Sequence, residues 1–223
     1  MSHPRGPSVA GSTDGVRSRY RRLAAIYPLL EPFLWLPGGI RARAVRRLSL
    51  HPGSRVLEVG CGTGRNLSLL ASAVGTTGRV YGVDVTPEML AVARATVRRE
   101  GWTNVVLLEG DAETLELPEP VDAVLFSLSY TVIPRHRAVL ERTWKQLKPG
   151  GRVVVLDGGV PDGGLGDVLR PLELAISRRT VLGHPERRPW DDLRTLSADV
   201  HEERVWPGIY YVCWTDRPGV VDG

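Results

Sequence analysis

The residue types best suited to chemistry gather at three points. The first is Val56-Leu57-Glu58-Val59-Gly60-Cys61-Gly62-Thr63-Gly64, an apolar run that passes into glycines spaced G-x-G-x-G. Glycine there lets the backbone turn tightly and lets a ligand approach with no Cβ in the way. A dinucleotide fingerprint needs a glycine where this chain has Arg65, and a phosphate-binding loop needs Gly-Lys-Ser/Thr, which is absent. The turn therefore points to a nucleoside rather than a pyrophosphate. The second point is Val80-Tyr81-Gly82-Val83-Asp84, with Asp84 20 residues after Gly64. A carboxylate at that place accepts from both hydroxyls of a ribose. The third is Glu109-Gly110-Asp111-Ala112, where Asp111 would accept from the exocyclic amine of a purine. Each acid alone has a plainer reading as a helix cap, Asp84 before Thr86-Pro87 especially. The order and spacing of all three together favour a nucleoside site.

Such a site needs strands that end side by side. Apolar runs at Arg55–Val59, Arg79–Val83, Val105–Leu108, Val121–Phe126 and Arg152–Leu156 predict strands. Helices are predicted between them at Asn66–Ala73, Pro87–Glu100 and His136–Leu147, the last stopped by Pro149-Gly150-Gly151. Apolar strands alternating with helices imply an α/β fold, a Rossmann-like doubly wound sheet with helices on both faces. After Asp157 the pattern changes. A Gly-rich loop leads to a helix at Asp167–Val181, a polar connection, a short helix at Trp190–Leu196, and strands at Val200–Trp206 and Ile209–Thr215 around Pro207-Gly208. The sheet is then seven-stranded, mostly parallel, with a terminal antiparallel strand. Upstream, helices are expected at Ser18–Leu30 and Ile40–Leu48, the second with Ile40, Ala44, Val45 and Leu48 inward and Arg41, Arg43, Arg46 and Arg47 outward.

The domain division is a disordered tail over 1–16, a helical lid over 17–50, and the main domain over 51–223 with an insertion at 158–190 near the acceptor. The chain has 223 residues, 42% hydrophobic and 24% charged, which fits a globular domain and not a disordered or fibrous one. Only two cysteines and no long apolar run exclude a disulfide framework and a membrane-spanning helix, and no secretory leader is evident. A cytoplasmic location is expected. Net charge is +4, but nine arginines against Asp14 and Glu31 give the first 50 residues +7 and leave the rest at −3.

The segments VLEVGCGTG, GVDVTPEML, EGDAETLELP and LKPGGRVVVLD resemble the successive motifs of class I S-adenosylmethionine-dependent methyltransferases. The likeness covers about residues 18–157. Within that family the chain is similar to the ubiquinone/menaquinone and phospholipid N-methyltransferase group, with FSLSYTVIP after the fourth strand as the segment in point.

The resemblance implies S-adenosyl-L-methionine as cofactor and S-adenosyl-L-homocysteine as product. It places Gly60, Cys61, Gly62 and Gly64 along the methionine part, with Glu58 at the same end. Asp84 and Val85 take the ribose side, Thr86 or Met89 borders adenine, Asp111 takes the adenine amine beside Ala112, and Ser127 lines the sulfonium region. Tyr20 and Tyr27 resemble a Tyr-x₆-Tyr lid, although Pro28 replaces the usual Asp, and both also suit an amphipathic helix core. Tyr130 and His136 are the candidate catalytic groups, with His184 a further one. No metal is implied. The acceptor expected is a small molecule or a lipid, with N, O or C as the methylated atom. Basic helices over 17–48 would also suit peripheral contact with an anionic membrane surface. A non-methylating relative is the competing reading. A nucleic-acid methyltransferase is disfavoured, because Ser127-Leu128-Ser129-Tyr130 lacks the Asn/Asp-Pro-Pro-aromatic motif.

Overall fold

The computed structural model of the protein describes residues 39–159, 184, 186–205 and 209–219. The expected tail, the Ser18–Leu30 helix with Tyr20 and Tyr27, and most of the 158–190 segment lie outside them. The described chain runs α1 (Ile40–Arg47), β1 (Arg55–Val59), α2 (Leu67–Val74), β2 (Arg79–Asp84), α3 (Pro87–Glu100), β3 (Val105–Glu109), β4 (Val121–Ser127), α4 (His136–Gln146), β5 (Leu147–Gly158), α5 (Pro189–Arg194), β6 (Val200–Val205) and β7 (Tyr210–Asp216).

These strands form one sheet of seven in the order β3-β2-β1-β4-β5-β7-β6. Strands β1 to β5 are parallel, and β7 runs antiparallel to both β5 and β6. The fold class is the expected one. Alternation along the central strands sends side chains to two cores. Leu57, Val59, Phe126, Val153 and Val155 pack with Val139 and Leu140 of α4 and Trp190 and Leu193 of α5. Val56, Val80, Leu125, Val154 and Leu156 pack with α1, α2 and Ala93 of α3. Both faces are covered, which is why β1, β4 and β5 read as continuous apolar runs.

Two local expectations are corrected. Pro149-Gly150-Gly151 does not separate helix from strand, because β5 already begins at Leu147, which pairs with Val121 before a register shift. The stop is made instead by Arg217, whose Nη1 donates to the carbonyls of Trp144, Lys145 and Leu147 at the end of α4. A cation suits that negative helix end. The second correction concerns the arginines of α1. Arg43 and Arg47 both pair with Glu203 of β6, and Arg47 lies 4.5 Å over the ring of Trp214. They bind the helix to the sheet rather than facing only solvent.

Candidate active site

The strand order reverses between β1 and β4: the chain leaves β1 for β2 and β3, then returns to β4 on the other side. Doubly wound sheets open a crevice at that point, beyond the carboxyl ends of the strands. Here the crevice is an open cleft of about 980 Å³. Of the twelve residues expected at the cofactor, ten line it: Glu58, Gly60, Cys61, Gly62, Asp84, Val85, Met89, Asp111, Ala112 and Ser127. Tyr20 lies outside the described residues.

Gly64 is the exception among the glycines. It has φ +83, and a Cβ there would meet Leu67 Cδ1 at 2.5 Å and Ala93 at 3.2 Å. It is a packing glycine between α2 and α3 and does not line the cleft. Gly60, with φ +70, would place a Cβ 2.6 Å from Ser129 Cβ. That close approach joins the turn after β1 to the loop after β4, and Ser129 Oγ completes it by donating to Val59 O at 2.6 Å.

Asp84 holds the turn from the other side. Its Oδ2 accepts from Gly62 N at 2.9 Å and its Oδ1 from Thr86 N at 2.8 Å. The cap reading and the binding reading are thus compatible, since each oxygen has a second lone pair for a ribose hydroxyl. Burial pushes its carboxyl upward, and the backbone donors oppose that. Asp111 ties its own turn through Glu113 N at 3.0 Å.

Glu58 is 1% exposed. Its Oε1 accepts from Asn66 Nδ2, while Oε2 is buried with no partner, as is Thr63 Oγ1. Burial pushes the Glu58 carboxyl up to about 7, against Asn66 and Arg41, which lower it. An orphaned buried carboxylate oxygen suits a ligand that carries an ammonium group, as the methionine end of S-adenosylmethionine does.

The loop after β4 forms an apolar wall of Leu128, Val132, Ile133 and Pro134, backed by Val139. Leu128 has φ 57, a left-handed conformation that is strained for a leucine, and its N–H donates to Leu156 O at 2.7 Å.

The proposed catalytic groups are not on that wall. Tyr130 has no exposed surface, packs edge-on against Phe126 and donates to Asp192 Oδ2 at 2.9 Å. Burial and Asp192 push its phenol up, which disfavours the phenolate. His136 Nε2 lies 3.4 Å from the same Asp192 oxygen, outside the cleft lining. His184 pairs with Glu186 at the surface, 3.1 Å away. Tyr130 and His136 join β4, α4 and α5 through Asp192, and His184 stays at the surface. Among the described residues that line the cleft, Arg41, Glu58, Cys61, Arg65, Asp84 and Asp111 are the ionisable ones, and they belong to the cofactor side.

Asn66 and Arg41 are among the cleft residues that the sequence did not point to. Asn66 was expected only as a helix residue, yet it orients Glu58. Arg41 was expected outward, yet its Nη1 donates to Ser127 Oγ at 3.3 Å and Asn66 Oδ1 at 3.5 Å. The signal existed: at about 100° per residue, Arg41 falls between Leu48 (~80°) and Val45 (~140°) when Ile40 is set at zero. It sits inside the buried arc of α1.

A family profile described as a methyltransferase domain matches residues 56–151. The chain is 31% identical over 149 residues to the demethylmenaquinone methyltransferase of Anoxybacillus flavithermus, covering 66% of this chain and 61% of that one. The Geobacillus kaustophilus protein of the same name is 32% identical, with 66% and 62% covered. Residues 56–151 carry a methyltransferase domain, and the fold is that of the class I S-adenosylmethionine-dependent methyltransferases. Solved structures share this fold. A SAM-dependent methyltransferase from Aquifex aeolicus superposes with TM-score 0.60 at 23% identity, over 83% of this chain and 95% of that one. A putative methyltransferase from Bacillus halodurans gives 0.66 at 18% identity, over 81% and 100%. The chain spans about three fifths of the length of the curated relatives it matches. No described helix is long and apolar enough to cross a membrane.

Proposed function

We propose that the protein transfers a methyl group from S-adenosylmethionine to a small, apolar, ring-like acceptor of the quinol type. The observation that carries the reading is convergence. Asp84, Asp111, Glu58 and the turn at Gly60 and Gly62 line one cleft, and the facing wall is apolar. The relatives' own name, demethylmenaquinone methyltransferase, supports an acceptor of this chemical kind.

When bound, the cofactor supplies a methyl group on a sulfonium, a very good leaving group for in-line displacement. The protein's part is alignment and exclusion of water. Asp84 would hold the ribose, Asp111 the adenine amine and Glu58 the ammonium. Ser127, at the end of β4, borders the reacting region. Leu128, Val132 and Ile133 would seat the acceptor ring and keep water out. No described group on that wall is placed to remove a proton. In this reading the reduced form of the acceptor is the nucleophile, and its proton passes to solvent at the cleft mouth.

Two measurements test the reading. Calorimetry with S-adenosylhomocysteine should give one saturable site, and a reduced naphthoquinone with an isoprenoid tail should drive S-adenosylhomocysteine formation. No binding in the first refutes the cofactor assignment. Turnover with phosphatidylethanolamine and not with the quinol refutes the acceptor assignment.

A further inference from the structure

Carbonyls in an irregular loop have no ladder to join and need donors from elsewhere. In the loop after β4 one guanidinium supplies them. Arg187 Nη1 donates to Thr131 O at 2.8 Å and to Ile133 O at 2.6 Å, with Tyr130 O at 3.5 Å. The first two carbonyls stand on either side of Val132 in the chain, and Val132 and Ile133 line the cleft. Thr131 is held from below as well. Its N–H and Oγ1 donate to Asp157 at 2.9 and 3.0 Å, and Gly158 N donates to the same carboxylate at 2.9 Å. Its carbonyl also accepts from His184 N at 3.1 Å. Asp157 is 4% exposed, and Arg187 draws its carboxyl downward against that burial. Thr131 therefore sits between a carboxylate and a guanidinium. Asp157 belongs to the end of β5, and Arg187 stands two residues before α5. The connection from β5 to α5 is thus fastened at both ends to one residue of the apolar wall.

We infer that Arg187 is a positioning residue for the acceptor: by fixing the carbonyls on either side of Val132, it sets where the apolar wall stands against the acceptor ring. The inference rests on the acceptor reading above and extends it to a residue that does not itself line the cleft. A misplacement of about 1 Å costs about 100-fold in rate, so a wall built from loop needs such an anchor. Glu58, Asp84 and Asp111 stand at the ends of β1, β2 and β3, on the cofactor side. Loss of Arg187 should therefore fall on the acceptor and spare the cofactor. The neighbouring Arg188 has other partners, Asp191 at 3.3 Å and the ring of Trp190 at 5.2 Å.

The test compares wild type, Arg187→Met, Arg187→Lys and Arg188→Met with a reduced naphthoquinone carrying an isoprenoid tail. Each is assayed below its melting temperature, and S-adenosylhomocysteine titration reports the folded cofactor site. Arg187→Met should lower kcat/KM for the quinol on the order of 10- to 100-fold, most of it as a rise in KM. Its dissociation constant for S-adenosylhomocysteine should stay within about twofold of the wild type. Arg187→Lys keeps a charged donor and should fall between the two, and Arg188→Met should match the wild type. Should kcat/KM of Arg187→Met stay within about twofold, or should its S-adenosylhomocysteine affinity fall by the same factor, Arg187 does not position the acceptor. A wild type that binds S-adenosylhomocysteine and turns over no quinol would instead overturn the acceptor reading, and this inference with it.

Discussion

The turn after β1 and the loop after β4 meet at Gly60 and Ser129, yet they treat their polar atoms differently. In the first, Glu58 Oε2 and Thr63 Oγ1 are buried without a partner. In the second, polar groups are tied one after another to the scaffold. Thr131 is held through N and Oγ1 by Asp157, at 2.9 and 3.0 Å, and its carbonyl accepts from Arg187 at 2.8 Å. Tyr130 is bound to Asp192, which also takes Arg137 Nε at 2.6 Å. His136 Nδ1 is the exception on this side, buried and unpartnered. A buried polar atom left unsatisfied costs about 1–3 kcal/mol. Such atoms persist where a ligand supplies what is missing. The satisfied loop can instead act as a fixed wall, shaped by its anchors and apolar toward the cleft.

The sharpest way to break this contrast is Asp84→Ala. It removes a ribose acceptor and the brace on Gly62 together, so the dissociation constant for S-adenosylhomocysteine should rise by about 100-fold or more. A change below about fivefold in calorimetry would put the cofactor elsewhere. On the wall side, Asp192→Ala should cost about 2 kcal/mol in denaturant unfolding, because Tyr130 and Arg137 lose a buried partner. Cofactor affinity should stay within about threefold. The milder Tyr130→Phe should cost about 1 kcal/mol and keep the methyl-transfer rate within a few-fold. A loss of rate near a thousandfold with normal stability would return Tyr130 to the chemistry.

The smallest effect is a pH profile. The folded protein holds the Glu58 proton up to about 7, whereas the unfolded chain releases it near 4.5. Asp157 behaves alike, from 3.8 up to about 6. For both groups the folded state binds more protons in that window, so stability is greatest below it and declines as pH rises through it. The ligand-free protein should therefore lose melting temperature between about pH 5 and 8, while S-adenosylhomocysteine affinity rises over pH 6 to 8 as Glu58 ionises to meet the ammonium. Glu58→Gln keeps the acceptor for Asn66 and has no charge. It should flatten the affinity profile, weaken the ligand about tenfold and stabilise the free protein by about 1 kcal/mol at pH 8. Equal pH profiles in wild type and Glu58→Gln would remove Glu58 from the ligand.

The parts of this design that were legible in the sequence are those with a backbone signature. Gly60, Gly62, Asp84 and Asp111 lie at strand ends or within three residues beyond them, and strand ends in an alternating α/β chain can be located from apolar runs alone. Side-chain direction after β4 left no such mark. Tyr130 follows a left-handed leucine that redirects the chain, so its nearness to β4 in sequence says nothing of the cleft. Gly64 looked like part of a ligand turn because its spacing matches, while its actual neighbours, Leu67 and Ala93, come from two different helices. Arg41 was misplaced because its type was weighed above its angle on the helix.

The strand order has a consequence in time. Strand β7 is made after β6 but lies inside it, paired with β5 on one edge and β6 on the other. During synthesis β6 emerges before β7, the strand it pairs with, and its Glu203 meets Arg43 and Arg47 of α1 in the folded protein. Strand β7 must insert before β6, which is made ahead of it, can dock. Closing that non-local pairing is a slow kind of step. The β6 edge of the sheet therefore becomes protected only after β7 has been made.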